Sequence, residues 1–213
     1  MSKVGIYQVC FDEQSTQHIE PEFIRYYNKR KDQFFENAII ADIVLSNRHL
    51  LWDYCGVLSW RFGSKTLMTG KEVIKAVNEN SGYDVINFFP SDYRHEQHPF
   101  NRKRFPPGTD MAKEFDKRRF FEFNLYDYQT DGLMIWCNYW VAKPQVMQLY
   151  VDKYLLPVIE YFNAPDSELE GFINTKVNHR EGKEYTLIPF FLEGLFSVFC
   201  HREKLKVKTI CKV

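Results

Sequence analysis

The sequence predicts an α/β fold: a single domain with a mostly parallel central sheet flanked by helices. Three observations lead to this prediction. The segment from Asp53 to Pro90 reads as strand, helix, strand. A further apolar strand, Val4–Phe11, opens the chain and is followed by a polar turn, which is a common start of an α/β sheet. The chain has 213 residues, of which 45% are hydrophobic, so residues 1–213 can enclose one sizeable core.

The strand–helix–strand segment organises this prediction. Tyr54–Trp60 is short, apolar and bounded by charged residues, as expected of a buried strand. Thr69 stands three residues before Glu72, the spacing of a capping box, and apolar residues then recur at helical spacing. Asp84–Phe89 is a second apolar run. Two buried strands joined by a helix should be parallel members of one sheet, with ligands beyond their carboxyl ends.

Periodicity and proline positions predict the other elements. They are a helical stretch, in one or two pieces, over Glu20–Leu45; a buried strand over Leu133–Ala142; a helix that opens at Pro144 and is kinked or broken at Pro157; an apolar helix over Ile188–His201; and a final strand in the basic tail, Glu203–Val213. The segment Ser91–Gln129 is rich in proline and basic residues, and it predicts an irregular loop at about residues 91–129 that borders a site.

Composition narrows the classes of function. The formal net charge is zero, which removes any global argument for binding nucleic acid or a membrane surface. Aromatic residues make up 17% of the chain; we expect most in the core and some in a site for a flat or ring-shaped ligand. The five cysteines form no Cys-x-x-Cys pair and predict free thiols in a reducing compartment. The absence of a signal peptide and of a bilayer-length apolar run favours a cytoplasmic protein.

The sequence contains no glycine-rich dinucleotide motif, no Walker loop and no Gly-x-Ser-x-Gly elbow. His95 and His98 lie near Asp92 in a proline-rich segment, a weak metal signal that exposed loop residues explain equally well. Candidate site residues are therefore polar groups at strand ends or inside apolar segments. They are Tyr7 and Gln8 on the first strand, Trp60, Arg61 and Lys65 after the second, Asn87 and Asp92 near the end of the third, Asn138 within the fourth, and Glu193 in the last helix.

These candidates have structural alternatives. Arg61 and Lys65 suit a diphosphate, but Arg61 is equally compatible with extension into solvent. Asn138 either hydrogen-bonds a neighbouring loop or faces a ligand, since a buried amide needs partners. Glu193 is the lone acid of IPFFLEGLFSVF, so it must be paired, neutral or turned toward a wet cleft. Tyr7 and Gln8 either meet a nucleotide or belong to the core.

Three segments, taken in order, resemble bacterial glycosyltransferase-like proteins of capsular and surface-polysaccharide clusters. They are LWDYCGVLSWRF with a helix and YDVINFFP, then CNYWVAKPQVMQLYVDKYLLPVIEYF, then IPFFLEGLFSVF. They cover the middle and final parts of the chain. Each segment is short, so their order carries the resemblance, which implies a GT-A-type nucleotide-sugar fold.

The resemblance also implies a function: transfer of a sugar from a nucleotide-sugar donor to a surface-polysaccharide or other glycan acceptor, including a lipid-linked one. Transfer requires neutralisation of a leaving diphosphate and a base for the acceptor hydroxyl. Glu193 is the candidate catalytic base or acceptor-binding acid. The donor-binding candidates are Tyr7, Gln8, Trp60, Arg61, Lys65, Asn87 and Asn138.

The chain departs from the GT-A pattern at the metal site. GT-A enzymes usually hold the donor diphosphate through Mn²⁺ or Mg²⁺ at an Asp-x-Asp motif after an internal strand. Here the strand continues as NFFPSD, and no Asp-x-Asp stands there. Either Asp92 holds a divalent metal alone, or basic residues replace the metal, or the protein no longer transfers sugars.

Two other functions compete with transfer. A non-catalytic protein that binds nucleotide-sugars or glycans on the same fold is supported by the missing Asp-x-Asp. Nucleic-acid binding rests only on the basic clusters around Arg102 and Arg118, and we expect no specific nucleic-acid partner. We expect no transmembrane segment, and peripheral contact with a membrane is compatible with the sequence.

Overall fold

A computed structural model describes residues 1–29, 34–88, 100, 107–128, 130, 132–163, 170–171, 173–178 and 184–211. The strands are β1 (Val4–Cys10), β2 (Ile24–Tyr27), β3 (Tyr54–Ser59), β4 (Val85–Asn87), β5 (Trp140–Ala142), β6 (Lys176–Asn178), β7 (Glu184–Thr186) and β8 (Val207–Thr209). The helices are α1 (Glu13–Thr16), α2 (Glu36–Leu45), α3 (Phe62–Thr66), α4 (Gly70–Glu79), α5 (Pro107–Lys117), α6 (Pro144–Tyr150), α7 (Leu156–Asn163) and α8 (Ile188–Arg202). A 3₁₀ helix spans Arg48–Leu51, and a π-helical turn, Val151–Leu155, joins α6 to α7.

Six of the strands form one mixed sheet in the order β2-β1-β3-β5-β4-β8. The pairs β1–β2, β1–β3 and β4–β8 are parallel, whereas β5 is antiparallel to both of its neighbours, β3 and β4. Five strands therefore run in one direction and only β5 opposes them. The predicted α/β class with a mostly parallel sheet is confirmed.

The strand–helix–strand unit around which the prediction was built is also confirmed. Strands β3 and β4 are parallel to each other, because both are antiparallel to β5, which lies between them. Helix α4 connects them and begins with the predicted capping box: Thr69 accepts from the backbone N–H of Glu72, and the Glu72 carboxylate accepts from the backbone N–H of Thr69. Two orphan amides at the helix start are thereby satisfied.

Hydrophobic side chains cover both faces of the sheet. On one face, α2, α6, α7 and α8 enclose the larger core with Val57 and Trp140. On the other, α3 and α4 pack Phe62, Val73 and Val77 against the sheet. Burying one side chain of this size contributes about 1.5–3 kcal/mol to the free energy of folding. The two cores therefore stabilise the packing of a helical layer on each face of the sheet.

The prediction of helix over Glu20–Leu45 is wrong in its first half. Residues Ile24–Tyr27 form the edge strand β2, with alternating half-buried and exposed side chains, and only Glu36–Leu45 is helical. The side chain of Tyr26 packs toward the sheet and donates to the Asp42 carboxylate on α2 at 2.8 Å. The short run of β-branched and aromatic residues has the period of a strand, and pairing with β1 decided the outcome.

The predicted strand over Leu133–Ala142 shortens to Trp140–Ala142. Cys137 and Asn138 adopt left-handed backbone angles, with φ of 63° and 52°, which a strand cannot accommodate. Ser197 on α8 binds the preceding segment instead: its hydroxyl accepts from the backbone N–H of Ile135 at 2.9 Å. The apolar run is buried against α8 rather than paired in the sheet.

Two proline-containing regions also differ from prediction. Within the predicted irregular loop, Pro107–Lys117 is the helix α5, which opens with proline, where the missing N–H is not needed. The rest of residues 91–106, including Asp92, lies outside the described residues except Phe100. Pro157 does not break the following helix; the π-helical turn Val151–Leu155 precedes it, and α7 continues through it.

The tail contributes the predicted final strand, β8, at the sheet edge. Strands β6 and β7 form a separate antiparallel hairpin that leads directly into α8. The five cysteines are free thiols. Within the described ranges, every helix is too short or too polar to cross a membrane.

Candidate functional site

The candidate site lies at the edge of the sheet where β3 and β4 end. Strand β5 runs the other way, so its first residue, Trp140, pairs with Asn87, the last residue of β4. The residues just before β5 therefore reach the same edge. The hydroxyls of Tyr139 and Ser59 are hydrogen-bonded at 3.0 Å, which ties this segment to the end of β3.

Two cations follow β3 at this edge. The exposed Arg61 places its guanidinium carbon 5.4 Å from the centroid of the Trp60 ring, and Trp60 packs against His18 at 5.4 Å between centroids. Lys65 lies on α3, the short helix that follows β3. Its ammonium is 3.8 Å from the sulfur of Cys137 and 5.5 Å from the centroid of the Tyr139 ring. Trp60, Arg61 and Lys65 thus all follow the end of β3, where Arg61 contacts Trp60 and Lys65 contacts the segment before β5.

Two carboxyl groups lie near Lys65. Glu36 is the first residue of α2, and Glu193 is on α8. The pKa of the Glu36 carboxyl is raised to about 7, mainly by burial; the neighbouring Glu193 acts in the same direction, whereas a backbone hydrogen bond and the Lys65 ammonium act to lower it. Elements from three distant parts of the sequence therefore bring two acids and a cation into one electrostatic neighbourhood. Near neutral pH, Glu36 is divided between its charged and neutral forms.

Tyr139 adjoins the same charges. It is fully buried, and burial raises the pKa of its phenol well above the usual value; the nearby Cys137, Glu36 and Glu193 act in the same direction, against the hydrogen bond with Ser59. A phenol in this environment stays protonated at neutral pH. Its hydroxyl is hydrogen-bonded to Ser59, so this buried phenol fixes the segment before β5 to the end of β3.

Glu193 lies outside the dry core. Its neighbours on α8, Leu192 and Gly194, are buried, whereas Glu193 is only partly buried and interacts electrostatically with Glu36 and Tyr139. The sequence predicts that this acid faces the cleft or a cationic partner; its partial burial places it outside the dry core, whereas the neighbouring Glu36 is a second acid. Its role as a base stays a prediction.

Asn138 lies between Cys137 and Tyr139 in the left-handed turn. Its side chain is 2% exposed, and its Oδ1 makes no hydrogen bond to any of the residues that the structure describes. A buried amide oxygen without a partner is costly, on the order of 1–3 kcal/mol. Such a group next to the site residues is a candidate contact for a ligand.

Three predicted donor-binding residues, Gln8, Tyr7 and Asn87, make hydrogen bonds within the fold. The amide of Gln8 donates to the carbonyl oxygens of His18 and Ser59 and accepts from the backbone N–H of Glu20, so all its contacts serve the chain. Tyr7, one residue earlier, faces the opposite side of the sheet, where its hydroxyl accepts from Trp52. Its side chain is not brought to Lys65.

Asn87 is the last residue of β4 and lies between β5 and β8. It is 1% exposed, and its side-chain amide donates to the hydroxyl of Thr209 on β8 at 3.4 Å. Its backbone carbonyl accepts from the backbone N–H of Ile210. This side chain fixes the last strand to β4. The metal candidate Asp92 lies outside the described residues, and within those residues no three His, Cys, Asp or Glu side chains are grouped as a metal ion requires.

Sequence reasoning missed Glu36 and Tyr139. A glutamate in the first turn of a helix is routine, since it favours the helix dipole, so Glu36 carried no separate signal. Tyr139 lay inside an apolar run that was assigned to a strand. Both became site residues only through the tertiary fold, which brings the start of α2 into electrostatic range of the segment before β5.

Comparison with known proteins gives one informative result. No protein-family model matches the sequence, and no curated protein matches it. Among solved structures, the chain is similar to one described as the apo structure of the WbbM bifunctional glycosyltransferase, with a TM-score of 0.57 and 11% sequence identity. The match covers 99% of this chain and 46% of that one, so the chain spans about half the length of the structure it matches. The chain thus has the fold found in part of a glycosyltransferase.

Proposed function

We propose that the protein is a glycosyltransferase that moves a sugar from a nucleotide-sugar donor to a surface-polysaccharide or other glycan acceptor, on a GT-A-like fold. The likeness to a bifunctional glycosyltransferase supports the reaction class. One observation carries the proposal: at the carboxyl edge of a mostly parallel sheet, the Lys65 ammonium lies 5.5 Å from the Tyr139 ring centroid, and the carboxyls of Glu36 and Glu193 act electrostatically on Tyr139. Ligands of open α/β sheets bind at such an edge.

The chemistry of transfer suggests a role for each candidate residue. In transfer, the acceptor oxygen forms a bond to the anomeric carbon, and the bond from that carbon to the diphosphate breaks, its electron pair leaving with the nucleotide. Arg61 and Lys65 are placed to neutralise the charge that develops on the diphosphate. The acceptor hydroxyl proton passes to a carboxylate, for which Glu193 is our candidate.

A divalent metal would supply further charge neutralisation when bound. Asp92 is the residue that would hold it after β4, and it lies outside the described residues. The cations Arg61 and Lys65 do not depend on such a metal. We therefore propose that Arg61 and Lys65 bind the diphosphate.

The deciding experiment measures transfer and donor hydrolysis by the wild type, Glu193→Gln and Glu79→Gln with a panel of UDP-, GDP- and CMP-linked sugars. Glu79 is a matched control, since it lies exposed on α4 in an ion pair with Lys75. We expect Glu193→Gln to lose about 100-fold or more in rate, the scale of general-base loss, with nucleotide affinity and melting temperature near wild type.

The outcomes separate the alternatives. Normal transfer by Glu193→Gln would exclude the base role. Unfolding of that variant would show a structural role for the carboxyl. A wild-type protein that binds nucleotide-sugars but neither hydrolyses nor transfers them would be the non-catalytic binding protein that the missing Asp-x-Asp favours.

A further inference from the structure

The five cysteines of the chain differ in their surroundings. Cys10, Cys55 and Cys200 are fully buried. Burial raises the pKa of the Cys55 thiol to about 12 and that of the Cys200 thiol well above its usual value, so both stay protonated and inert at neutral pH. Cys137 and Cys211 are half-buried, so solvent and small reagents reach these two thiols.

Cys137 contacts a cation. Its sulfur lies 3.8 Å from the ammonium nitrogen of Lys65. The thiolate is the form of cysteine that attacks oxidants and electrophiles, and a neighbouring lysine favours it. The exposure of Lys65 weakens this attraction without removing it. Glu36 and Glu193 act electrostatically on the adjacent Tyr139 and oppose a thiolate, whereas Lys65 touches the sulfur and favours one.

The contact joins two segments that the core fixes to each other. Lys65 lies on α3, and Cys137 lies in the left-handed turn before β5. Phe62 of α3 packs edge-on against Tyr139 at 5.2 Å between ring centroids and an interplanar angle of 76°, and both rings are fully buried. The Tyr139 hydroxyl is also hydrogen-bonded to Ser59 at 3.0 Å. The thiol therefore stays within reach of the ammonium.

A second observation is the buried acceptor at the next residue. The side chain of Asn138 is 2% exposed, and its Oδ1 makes no hydrogen bond within the described part of the chain. A thiol is a weak hydrogen-bond donor, whereas the sulfenic acid that forms on oxidation carries an O–H group. Oxidation of Cys137 would therefore add a strong donor at the residue next to an acceptor that needs one.

Hydrogen peroxide is the simplest oxidant for such a thiol. The Cys137 sulfur attacks one peroxide oxygen, so an S–O bond forms and the O–O bond breaks. The sulfur loses two electrons and becomes the sulfenic acid, and the departing oxygen takes up the thiol proton and leaves as water. The Lys65 ammonium is then placed to donate a hydrogen bond to the new oxygen, in competition with a phosphate oxygen.

We propose that Cys137 is a peroxide-sensitive modification site activated by Lys65, and that its oxidation withdraws Lys65 from the donor diphosphate. The modification site depends on the contact between the two side chains alone. The effect on the diphosphate rests on the proposed function, since it assigns a regulation to one of the same cations.

Thiol reactivity tests the modification site without a donor or turnover. The native wild type is treated with iodoacetamide or hydrogen peroxide, and peptide mass spectrometry gives the rates at Cys137 and at Cys211. Cys211 is the internal reference, because it is also half-buried. We expect Cys137 to react about fivefold faster or more, the effect of one cation at this distance in water. In urea, where the contact is lost, the two rates should become similar.

Variants of Lys65 separate its charge from the exposure of the thiol. Lys65→Met should slow the reaction at Cys137 by about fivefold and leave Cys211 unchanged, whereas Lys65→Arg, which keeps the charge, should retain the rate. Lys71→Met, at an exposed position on α4, is the matched control and should react like the wild type. Equal rates at Cys137 in the wild type and Lys65→Met would overturn the site, as would a native Cys137 that reacts more slowly than Cys211.

Nucleotide binding tests the regulation. The affinities for UDP, GDP and CDP are measured before peroxide, after peroxide and after dithiothreitol. We expect oxidation to weaken binding by about tenfold, the loss of one hydrogen bond to a charged group, and dithiothreitol to restore it. Cys137→Ser should bind nucleotides equally well before and after peroxide.

Two results separate this regulation from the proposed function. Unchanged nucleotide affinity in a protein whose Cys137 is oxidised would overturn the regulation and leave the proposed function intact. No nucleotide binding by the reduced protein would contradict both the diphosphate site and its regulation, while the rates at Cys137 would still decide the modification site.

Discussion

At the residue scale, the same side-chain chemistry serves the site in one place and the fold in another. Gln8 and Asn138 are both buried amides that the sequence suggested as ligand contacts. Gln8 is satisfied by three backbone groups, from the α1–β2 connection and the end of β3, whereas the Oδ1 of Asn138 has no partner within the described residues. The difference lies in the surrounding backbone. Gln8, on a strand, lies between backbone groups of two neighbouring segments, whereas Asn138 lies in a left-handed turn where no such groups meet its Oδ1 within the described residues.

Gln8→Leu should therefore be a stability variant. Removing the amide leaves the N–H of Glu20 and two carbonyl groups without this partner, which should cost about 1–3 kcal/mol. Urea unfolding measures the loss, and Gln145→Leu, at an exposed position on α6, serves as the control with little change. If Gln8→Leu kept wild-type stability but lost nucleotide affinity, Gln8 would be a donor contact after all.

Glu36 predicts a pH dependence of stability. Its pKa is about 7 in the folded chain, because of burial, against an ordinary value of 4.5. A carboxyl whose pKa is raised on folding stabilises most when it is protonated, and that contribution is lost as the pH rises through about 7. Each pKa unit corresponds to about 1.4 kcal/mol.

Glu36→Gln should therefore be more stable than the wild type at pH 8, and the difference should shrink as the pH is lowered toward 4.5, the ordinary carboxyl value. Urea unfolding at several pH values, with Glu79→Gln as a control that shows no such trend, measures this. A constant difference across that range would mean that Glu36 titrates like an exposed glutamate.

At the element scale, the site depends on how closely β5 approaches β3. A Cβ added to Gly56 on β3 would lie 2.7 Å from the carbonyl oxygen of Trp140, a backbone atom of β5 that cannot move aside alone. The indole of Trp140 stacks on Phe196 of α8 at 3.8 Å and 8°. Strand β5, which begins directly after Tyr139, is thus fixed by contacts with both β3 and α8.

Gly56→Ala should lower stability by about 1–3 kcal/mol, as for overpacking of a core, and it should also disturb the hydrogen bond between Ser59 and Tyr139. Gly82→Ala is the matched control, because its added methyl meets nothing within 4 Å and Gly82 does not have a positive φ. Equal stability of the two alanine variants would show that β3 and β5 can separate at low cost.

Phe196→Ala tests the attachment of α8. Removing a fully buried ring that stacks on Trp140 should cost about 3–5 kcal/mol. Leu50→Ala, at a side chain that is 61% exposed, should change stability by no more than about 0.5 kcal/mol. A loss much below this range for Phe196→Ala would show that the aromatic core closes over the cavity.

At the scale of the whole molecule, the cations that follow β3 predict how nucleotides stabilise the fold. A nucleoside diphosphate at about 100 times its dissociation constant adds roughly 2.7 kcal/mol, which should raise the melting temperature of a chain of this size by about 5–10 °C. Thermal shift with UDP, GDP and CDP, with and without Mn²⁺, measures the effect.

In this measurement the corresponding nucleosides, which lack phosphate, should give little shift, and Lys65→Ala should reduce the shift caused by the diphosphates. A shift that is unchanged in Lys65→Ala would place the diphosphate elsewhere. A shift that appears only with Mn²⁺ would indicate that a metal site supplements the two cations.

The sequence by itself determined the α/β class and the framework of the site. Local signals sufficed for the capping box of α4 and for the apolar strands β1, β3 and β4, because propensity, capping and burial agree there. The cations after β3 followed from the same logic, since a strand end in a parallel sheet is a place for ligands.

Only the tertiary structure decided which distant residues meet. Ile24–Tyr27 became a strand through pairing with β1, and the run before β5 became a turn because α8 holds Ile135. Glu193 acts electrostatically on Glu36 because α2 and α8 pack into the same core on one face of the sheet. These outcomes depend on long-range packing, and no local pattern in the chain encodes a contact between residues more than 150 positions apart.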